Sequence, residues 1–276
     1  MENCLLIKLK GTVPNAEIMK LGEVRIVTAE PNSGTSLFGS NVAQTLKIIS
    51  GTGTFKNPAA TDAGKTLIIP ANTGTDISTT AAGDVISIEN KYAITGFTLG
   101  STSQGLNFDI SALKFSALRT LLTNTASSII GDIAALNDKP LRRVNLASQS
   151  GIIGNISEIA GITSLYDLRI NATQIEGDIN VLSTLTGLSD TVSLQNTKIS
   201  GSIATLILPN AVTTLYLHND SGVVGQLEDF LDNCHNNGRI SGTLIINASN
   251  TGVTFNGQPL TAAITVTFTE SGWNVA

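Results

Sequence analysis

A repeat with a fixed period constrains this chain more than any other feature of its sequence. From residue 94 onward, apolar residues recur in the form L-x-x-L-x-L, and the last of them returns every 23 or 24 residues, with one interval of 29. The occurrences are Ile94/Phe97/Leu99, Leu118/Leu121/Thr123, Leu141/Val144/Leu146, Leu165/Leu168/Ile170, Ser189/Val192/Leu194, Val212/Leu215/Leu217 and Ser241/Leu244/Ile246. Such a period is typical of stacked units, because one unit cannot bury its own apolar face. The repeat predicts a mainly β solenoid of about seven coils.

A second motif follows the same period. It reads Gly131-Asp132-Ile133, Gly154-Asn155-Ile156, Gly177-Asp178-Ile179, Gly201-Ser202-Ile203 and Gly225-Gln226-Leu227, and Phe108-Asp109-Ile110 stands one period earlier. Glycine permits backbone angles that a Cβ penalises. We expect the following Ile or Leu to enter the core from the return side of each coil.

Local patterns predict the rest of each coil. The alternating residues of L-x-L favour a short strand with one face inward, and the strands should stack in parallel. Polar residues directly after the strands should form a ladder that bonds the turning backbone. They are Asn124-Thr125, Ala147-Ser148, Asn171-Ala172, Gln195-Asn196, His218-Asn219 and Asn247-Ala248. The return segments look short and irregular, except for a helix over Leu227–Cys234 that would bury Cys234. The tail Ala263–Val275 is predicted to be a capping strand.

These residues resemble the leucine-rich-repeat family, in the variety that reads L-x-x-L-x-L-x-N-x-x-I-x-G-x-I. The resemblance covers residues 94–260. The chain departs from the family pattern in having no Pro after G-x-I and in losing the motif's Asn from the coil 141–160, where Ala147-Ser148 follows the strand. The resemblance implies a leucine-rich-repeat solenoid over 94–276.

Residues 1–93 lack the period and are predicted to form a small all-β domain that caps the first coil or anchors the protein. Short β-like runs are separated by turn-rich stretches, such as Pro31–Gly34 and 51–53. The runs are Cys4–Val13, Leu21–Ala29, Leu46–Ser50, Thr66–Pro70 and Asp84–Glu89.

Composition and charge exclude several classes of function. Charged residues make up 13% of the chain, against roughly 25% in a typical soluble domain. The net charge of −5 argues against nucleic-acid binding, which needs a basic surface. No apolar run is long enough to span a membrane, and Met1–Lys10 lacks the pattern of a signal peptide. Cys4 and Cys234 are interpreted as buried thiols.

No arrangement of residues points to an enzyme, a cofactor or a metal site. The two histidines, His218 and His235, lack partners at metal-ligand spacing. The column of Asp109, Asp132, Asn155, Asp178, Ser202 and Gln226 has two interpretations. It is either a calcium-binding ladder or a set of side chains that bond the return loops, and the amide and hydroxyl members favour the second.

The candidate binding surface lies between the core positions of the strands. These residues should face outward, on the concave surface that solenoids use for binding. Four of the six arginines fall on three neighbouring coils, and Arg and Tyr are enriched at interfaces. The predicted partner-binding residues are Arg119, Arg142, Arg143, Asn145, Tyr166, Asp167, Arg169 and Tyr216.

The opening of the chain adds a second resemblance. Met1–Lys10 and the run Leu21–Ile26 resemble the starts of proteins encoded by gut bacteriophages, the crAss-like phages among them. This implies a virion surface component, such as a head-fibre, decoration or tail protein, which is made in the host cytoplasm. It would be a homo-oligomer through residues 1–93, and its repeats would meet a capsid, tail or host protein or a surface glycan. The alternative is a bacterial cell-surface or secreted adhesion protein.

Overall fold

The computed structural model describes two compact, mainly β units, Met1–Pro140 and Leu141–Ala276, here called unit 1 and unit 2. The described residues are 24–27, 32–40, 44–50, 54–56, 66–69, 73–79, 85–88, 94–99, 108–113, 116–123, 129–220, 222–238, 241–246, 250, 252–269 and 272–276. Cys4 and the predicted run Cys4–Val13 lie outside them, as do the ladder candidates at 124–125 and 247–248.

Unit 1 contains antiparallel strands followed by the first parallel ones. The strands are β1 (Val24–Val27), β2 (Asn32–Ser40), β3 (Gln44–Ser50), β4 (Thr54–Lys56), β5 (Thr66–Ile69), β6 (Thr73–Thr79), β7 (Val85–Ile88), β8 (Ile94–Leu99), β9 (Phe108–Asp109), β10 (Thr120–Leu122) and β11 (Ile129–Asp132). One antiparallel sheet has the order β1-β7-β3-β5, and another places β8 beside β2, β2 beside β6 and β6 beside β4. Strand β10 pairs in parallel with β8, and β11 with β9.

The sequence predicted β1, β3, β5 and β7 but missed three strands. Strand β2 includes Asn32–Gly34, which was predicted as a turn, and β4 and β6 had no predicted counterpart. Strands β2 and β6 are rich in Gly, Ser and Thr and have little apolar alternation, so pairing with neighbours on both sides defines them. The boundary expected at residue 93 falls within unit 1, because β8 pairs with β2 on one edge and β10 on the other.

Unit 2 is a solenoid-like stack with two parallel sheets. The front sheet comprises β12 (Arg143–Asn145), β14 (Asp167–Arg169), β16 (Thr191–Ser193), β18 (Thr214–Tyr216) and β20 (Thr243–Ile246). The return sheet comprises β15 (Glu176–Asp178), β17 (Lys198–Ser202), β19 (Gly222–Gln226) and β21 (Gly252–Phe255), with the short antiparallel β22 (Gln258–Pro259) at its edge. Strand β13 (Gly151–Ile153) precedes Asn155, which bridges in parallel to Glu176 of β15.

The core of unit 2 consists of columns of apolar side chains that stack in register. Val144, Leu168, Val192, Leu215 and Leu244 occupy equivalent positions on the front sheet and are at most 2% exposed. The return side contributes its own column, as predicted. Its fully buried members are Ile156, Ile179, Ile203 and Leu227.

One coil departs from the predicted register. Leu188 is fully buried, whereas Ser189, which was assigned to the core column, is exposed. The extra residue between Leu188 and Val192 bends the chain before β16, so that the apolar side chain still reaches the core. Ser241, assigned to the same column, is also exposed.

The return segments are more regular than predicted. Short 3₁₀ turns span Ile110–Ala112, Ile133–Leu136, Ile156–Ile159, Ile179–Thr184 and Ile203–Thr205. The predicted helix is present as α1 (Leu227–Asn236), and Cys234 on it is buried. No helix in the described part of the chain is long and apolar enough to cross a membrane.

The tail is a hairpin and not the single predicted strand. Strand β23 (Ile264–Thr269) pairs antiparallel with β20, and β24 (Gly272–Val275) pairs antiparallel with β23. A hairpin fits here because β23 covers the backbone groups that β20 would otherwise leave unpaired at the end of the parallel sheet.

Candidate binding surface

The Asp/Asn column caps the 3₁₀ turns of the return segments. Oδ1 of Asp132 accepts a hydrogen bond from the backbone N–H of Ala134 at 2.9 Å, and Asp178 accepts one from Asn180 at 2.9 Å. Asp109 and Asn155 cap in the same way, whereas Ser202 and Gln226 make no side-chain cap. This geometry favours the interpretation that the column bonds the return loops. Within the described ranges, no three His, Cys, Asp or Glu residues lie close enough to hold a metal ion.

Some of the predicted ladder residues bond between neighbouring coils, since Nδ2 of Asn219 donates to Oδ1 of Asn196 at 2.9 Å. A different polar column bonds the turning backbone. Ser148, Ala172, Asn196 and Asn219, the second residues of the predicted pairs, adopt left-handed backbone angles with φ between 55° and 67°. The buried polar column lies one residue further along the coils, or two in the case of Asn250. Its members are Gln149, Thr173, Asp220 and Asn250, and the half-buried Thr197 holds the same position.

This column bonds the turning backbone from inside the coil. Thr173 Oγ1 donates to the carbonyl of Ile170 at 2.7 Å, and Asn250 Nδ2 donates to the carbonyls of Leu217 and Asp220 at 2.7 and 3.0 Å. Asp220 is the ionisable member: Oδ1 accepts from the N–H and hydroxyl of Thr197, and Oδ2 is buried without a partner. Burial raises the pKa of Asp220 to about 7, although the bonds from Thr197 act in the opposite direction.

The front face of unit 2 is defined as the outward side chains of β12, β14, β16 and β18 together with Arg142 and Tyr166, which precede two of these strands. Arg142 is exposed and Tyr166 is 37% exposed. Their backbones meet, because the N–H of Tyr166 donates to the carbonyl of Arg142 at 2.8 Å. Arg119 belongs to unit 1, where it is exposed just before β10.

The structure joins three of the predicted residues into one cluster. Asp167 is fully buried, and its two carboxylate oxygens accept from Nε of Arg143 at 2.7 Å and from Nε of Arg169 at 2.9 Å. The two arginine side chains are 36% and 33% exposed. Asp167 was expected to face a partner, but the guanidinium groups cover it, so its carboxylate orients the arginines from below.

Two other predicted residues support local structure. Asn145 Oδ1 accepts from the N–H of Ala147 at 3.0 Å, and the ring of Tyr216 meets His218 edge-on at 6.3 Å. Both are half-buried. The strand pattern also predicts that Ser193 on β16 faces outward. It is buried, and its hydroxyl bonds the side-chain oxygens of Asn171 and Gln195.

The sequence contains a signal for the Asp167 cluster. Arg143 lies one repeat period before Asp167 and pairs with it across β12 and β14, and Arg169 lies two positions after it on the same strand face. A carboxylate flanked in both directions by arginines on one sheet face is well placed for two ion pairs.

A shallow hollow of about 370 Å³ lies elsewhere on unit 2, lined by residues 183, 186, 207–211 and 237. These residues include no acid, base or thiol. The hydroxyl of Ser183 donates to the carbonyl of Asn180. The hollow therefore lacks the acid–base pair that a hydrolytic site needs.

No protein-family profile matches the chain, and no curated protein sequence matches it either.

Proposed function

We propose that this chain is a non-enzymatic leucine-rich-repeat protein whose front face binds a partner. The stacked, in-register parallel strands and the columns of buried Leu, Ile and Val support the assignment to this kind of solenoid, with about seven coils counted over 94–260. Residues 1–93 would anchor the protein and form the oligomer.

The observation that carries the binding proposal is the cationic part of the front face. Arg143 and Arg169 stand together there over the buried Asp167, and Arg142, directly before Arg143, is exposed, in a chain whose net charge is −5. Tyr166 adds an exposed ring beside Arg142. Arginine and tyrosine at this density are typical of recognition surfaces.

The setting that we propose is the surface of a bacteriophage particle, as a head-fibre, decoration or tail protein. The support for it is the likeness of the chain's opening to phage-encoded proteins. Antibodies against the chain should label intact particles in electron micrographs. Labelling of bacterial envelopes in the absence of particles would favour the alternative of a bacterial adhesion protein.

The binding proposal is tested by adsorption of the labelled full-length chain to a panel of intact bacterial cells. The test variant is Arg142→Glu with Tyr166→Ala, because both side chains are exposed and the carboxylate of Asp167 is held by Arg143 and Arg169 instead. Arg169→Glu is unsuitable, since it would place a second carboxylate against a buried one. The matched control is Lys198→Glu, an exposed residue of the return sheet.

We expect the wild type and the control to adsorb equally, and the double variant to adsorb at least about tenfold less, as for loss of an interface hot spot. Circular dichroism should show that all three are folded. Equal adsorption by all three proteins, or no adsorption by the wild type to any surface, would contradict the proposal.

A further inference from the structure

The pair of arginines held by Asp167 has a geometry suited to an acidic ligand. Each guanidinium has five N–H donors, and Asp167 takes only the Nε–H of each. Among the described residues, the Nη groups of Arg143 and Arg169 have no hydrogen-bond partner. Because both arginines bind one carboxylate, they stand side by side, with these donors at the partly exposed ends of the side chains.

The charges of the cluster do not cancel. Two arginines against one aspartate leave one positive charge, and Arg142 on the same face adds another. A nearby acid is Asp190, whose N–H bonds the carbonyl of Tyr166 and whose Oδ1 accepts from Thr191. A buried carboxylate held by ion pairs is a poor way to stabilise a fold, since apolar residues of similar volume do as well or better. The excess of fixed donors is better explained by a ligand that brings a negative group.

The rest of the front face indicates what carries this group. Its outward positions hold Asn145, Thr191 and Thr214, whereas the exposed large aliphatic residues described in unit 2, Ile153, Ile207 and Val224, lie outside the front sheet. A protein partner normally needs an apolar centre at its interface. Hydroxyl and amide groups with one exposed aromatic ring, Tyr166, suit a saccharide, which offers hydroxyls and one apolar ring face.

We propose that Arg143 and Arg169 bind the carboxylate of an acidic saccharide, with Asp167 as the residue that positions them. The inference rests on the proposed function and names the ligand class of the same face. The carboxylate lies against the Nη groups in charge-assisted hydrogen bonds. Tyr166 and Arg142 contact the sugar ring and a neighbouring unit of the chain.

The test is isothermal titration of the full-length protein with trigalacturonate, with its carboxyl-reduced counterpart and with hexaglutamate. We expect trigalacturonate to bind at least about tenfold more tightly than either comparison ligand. Arg143→Lys and Arg169→Lys keep the charge but lose the planar fork, and each should weaken binding about tenfold. Lys198→Gln on the return sheet should change nothing.

Asp167→Asn separates positioning from simple charge attraction. The variant makes the cluster more positive, so an unspecific electrostatic effect would tighten binding of an anion. If Asp167 orients the two arginines, affinity falls despite the added charge, while the melting curve remains cooperative. Should this variant not fold, the two lysine variants still decide the question.

Three results overturn the inference. They are equal binding of the carboxyl-reduced saccharide, preferential binding of hexaglutamate, and no binding of trigalacturonate by the folded wild type. Each of them leaves the cell-adsorption result standing, so failure of the ligand class is distinguishable from failure of the front face as a binding surface.

Discussion

Gly201 lies directly over Asp178 of the preceding coil, so that a Cβ on Gly201 would stand 2.4 Å from Asp178 Oδ1. That oxygen already accepts the N–H of Asn180, and φ of Gly201 is +109°, a value that L-residues rarely adopt. The recurrent glycine therefore leaves room for the recurrent cap residue of the preceding coil. Gly177 and Asn155 repeat this arrangement.

Gly201→Ala should destabilise unit 2 through both the strained φ and the clash, by roughly 2 to 5 kcal/mol in urea unfolding. Gly272→Ala is the matched control, because its φ is +133° but nothing lies within 4 Å of a Cβ there. It should lose only about 1 to 3 kcal/mol. In an Asp178→Ala background, Gly201→Ala should lose less unfolding free energy than it does in the wild type. An unchanged loss would show that the contact with Asp178 does not cause the destabilisation.

Asp132→Ala removes the bond from the Ala134 N–H and should lower stability by about 1 kcal/mol. Ser202→Ala, at the same column but without a side-chain cap, should cost clearly less. Thermal melts report both, and added Ca²⁺ or EDTA should not shift them. A melting temperature that increases with Ca²⁺ would support the interpretation of the column as a calcium-binding ladder.

Asp220 should make stability fall as pH rises. Its pKa is about 7 in the folded chain, through burial, against an ordinary value near 3.8. The folded state therefore holds the proton more tightly, and the stabilisation is full below about pH 4 and lost as pH rises through about 7. Asp220→Asn should remove this decline, as measured by the free energy of unfolding from pH 4 to 8.

The comparison of the wild type with Asp220→Asn isolates the contribution of Asp220 to the pH dependence of stability. Burial lowers the pKa of His218, but that residue titrates in both proteins and its effect is common to them. A difference between wild type and variant that does not change with pH would contradict the assignment.

Ala172→Gly should stabilise the protein by about 0.5 to 1 kcal/mol. Ala172 has φ of +55°, and the left-handed region costs an L-residue about 1 to 2 kcal/mol, more than the entropy that Gly loses. Ala147→Gly is the control, since Ala147 is not among the residues with positive φ. It should lose about 0.5 to 1 kcal/mol. Chemical denaturation measures both changes in unfolding free energy. If both variants were stabilised, or both destabilised, the role of the positive φ at Ala172 would be contradicted.

The parts of the fold that repeat were predictable, because each coil buries the same side chains. The Leu/Val/Ile columns, the glycines with the following Ile or Leu, and helix α1 with Cys234 all follow from period and apolarity. Strands β2 and β6 were not predictable, since small polar residues become strands only when neighbours pair with them.

The polar residues were harder to place. Asn196 and Asn219 are suited to a left-handed turn, whereas Asn250 is suited to a buried hydrogen bond, and a sequence does not distinguish these two uses of one amide. Asp167 was predicted to be exposed because it alternates with the core residue Leu168 along the strand and so should face outward. Only the approach of two arginines from neighbouring positions makes its burial possible.

The front face as the place of binding is tested most directly by hydroxyl-radical footprinting of the full-length chain with and without saturating trigalacturonate. Oxidation of Tyr166 should fall severalfold on binding. Oxidation of Trp273, on the tail hairpin, should not change. Protection of Trp273 with Tyr166 unaffected would contradict the account.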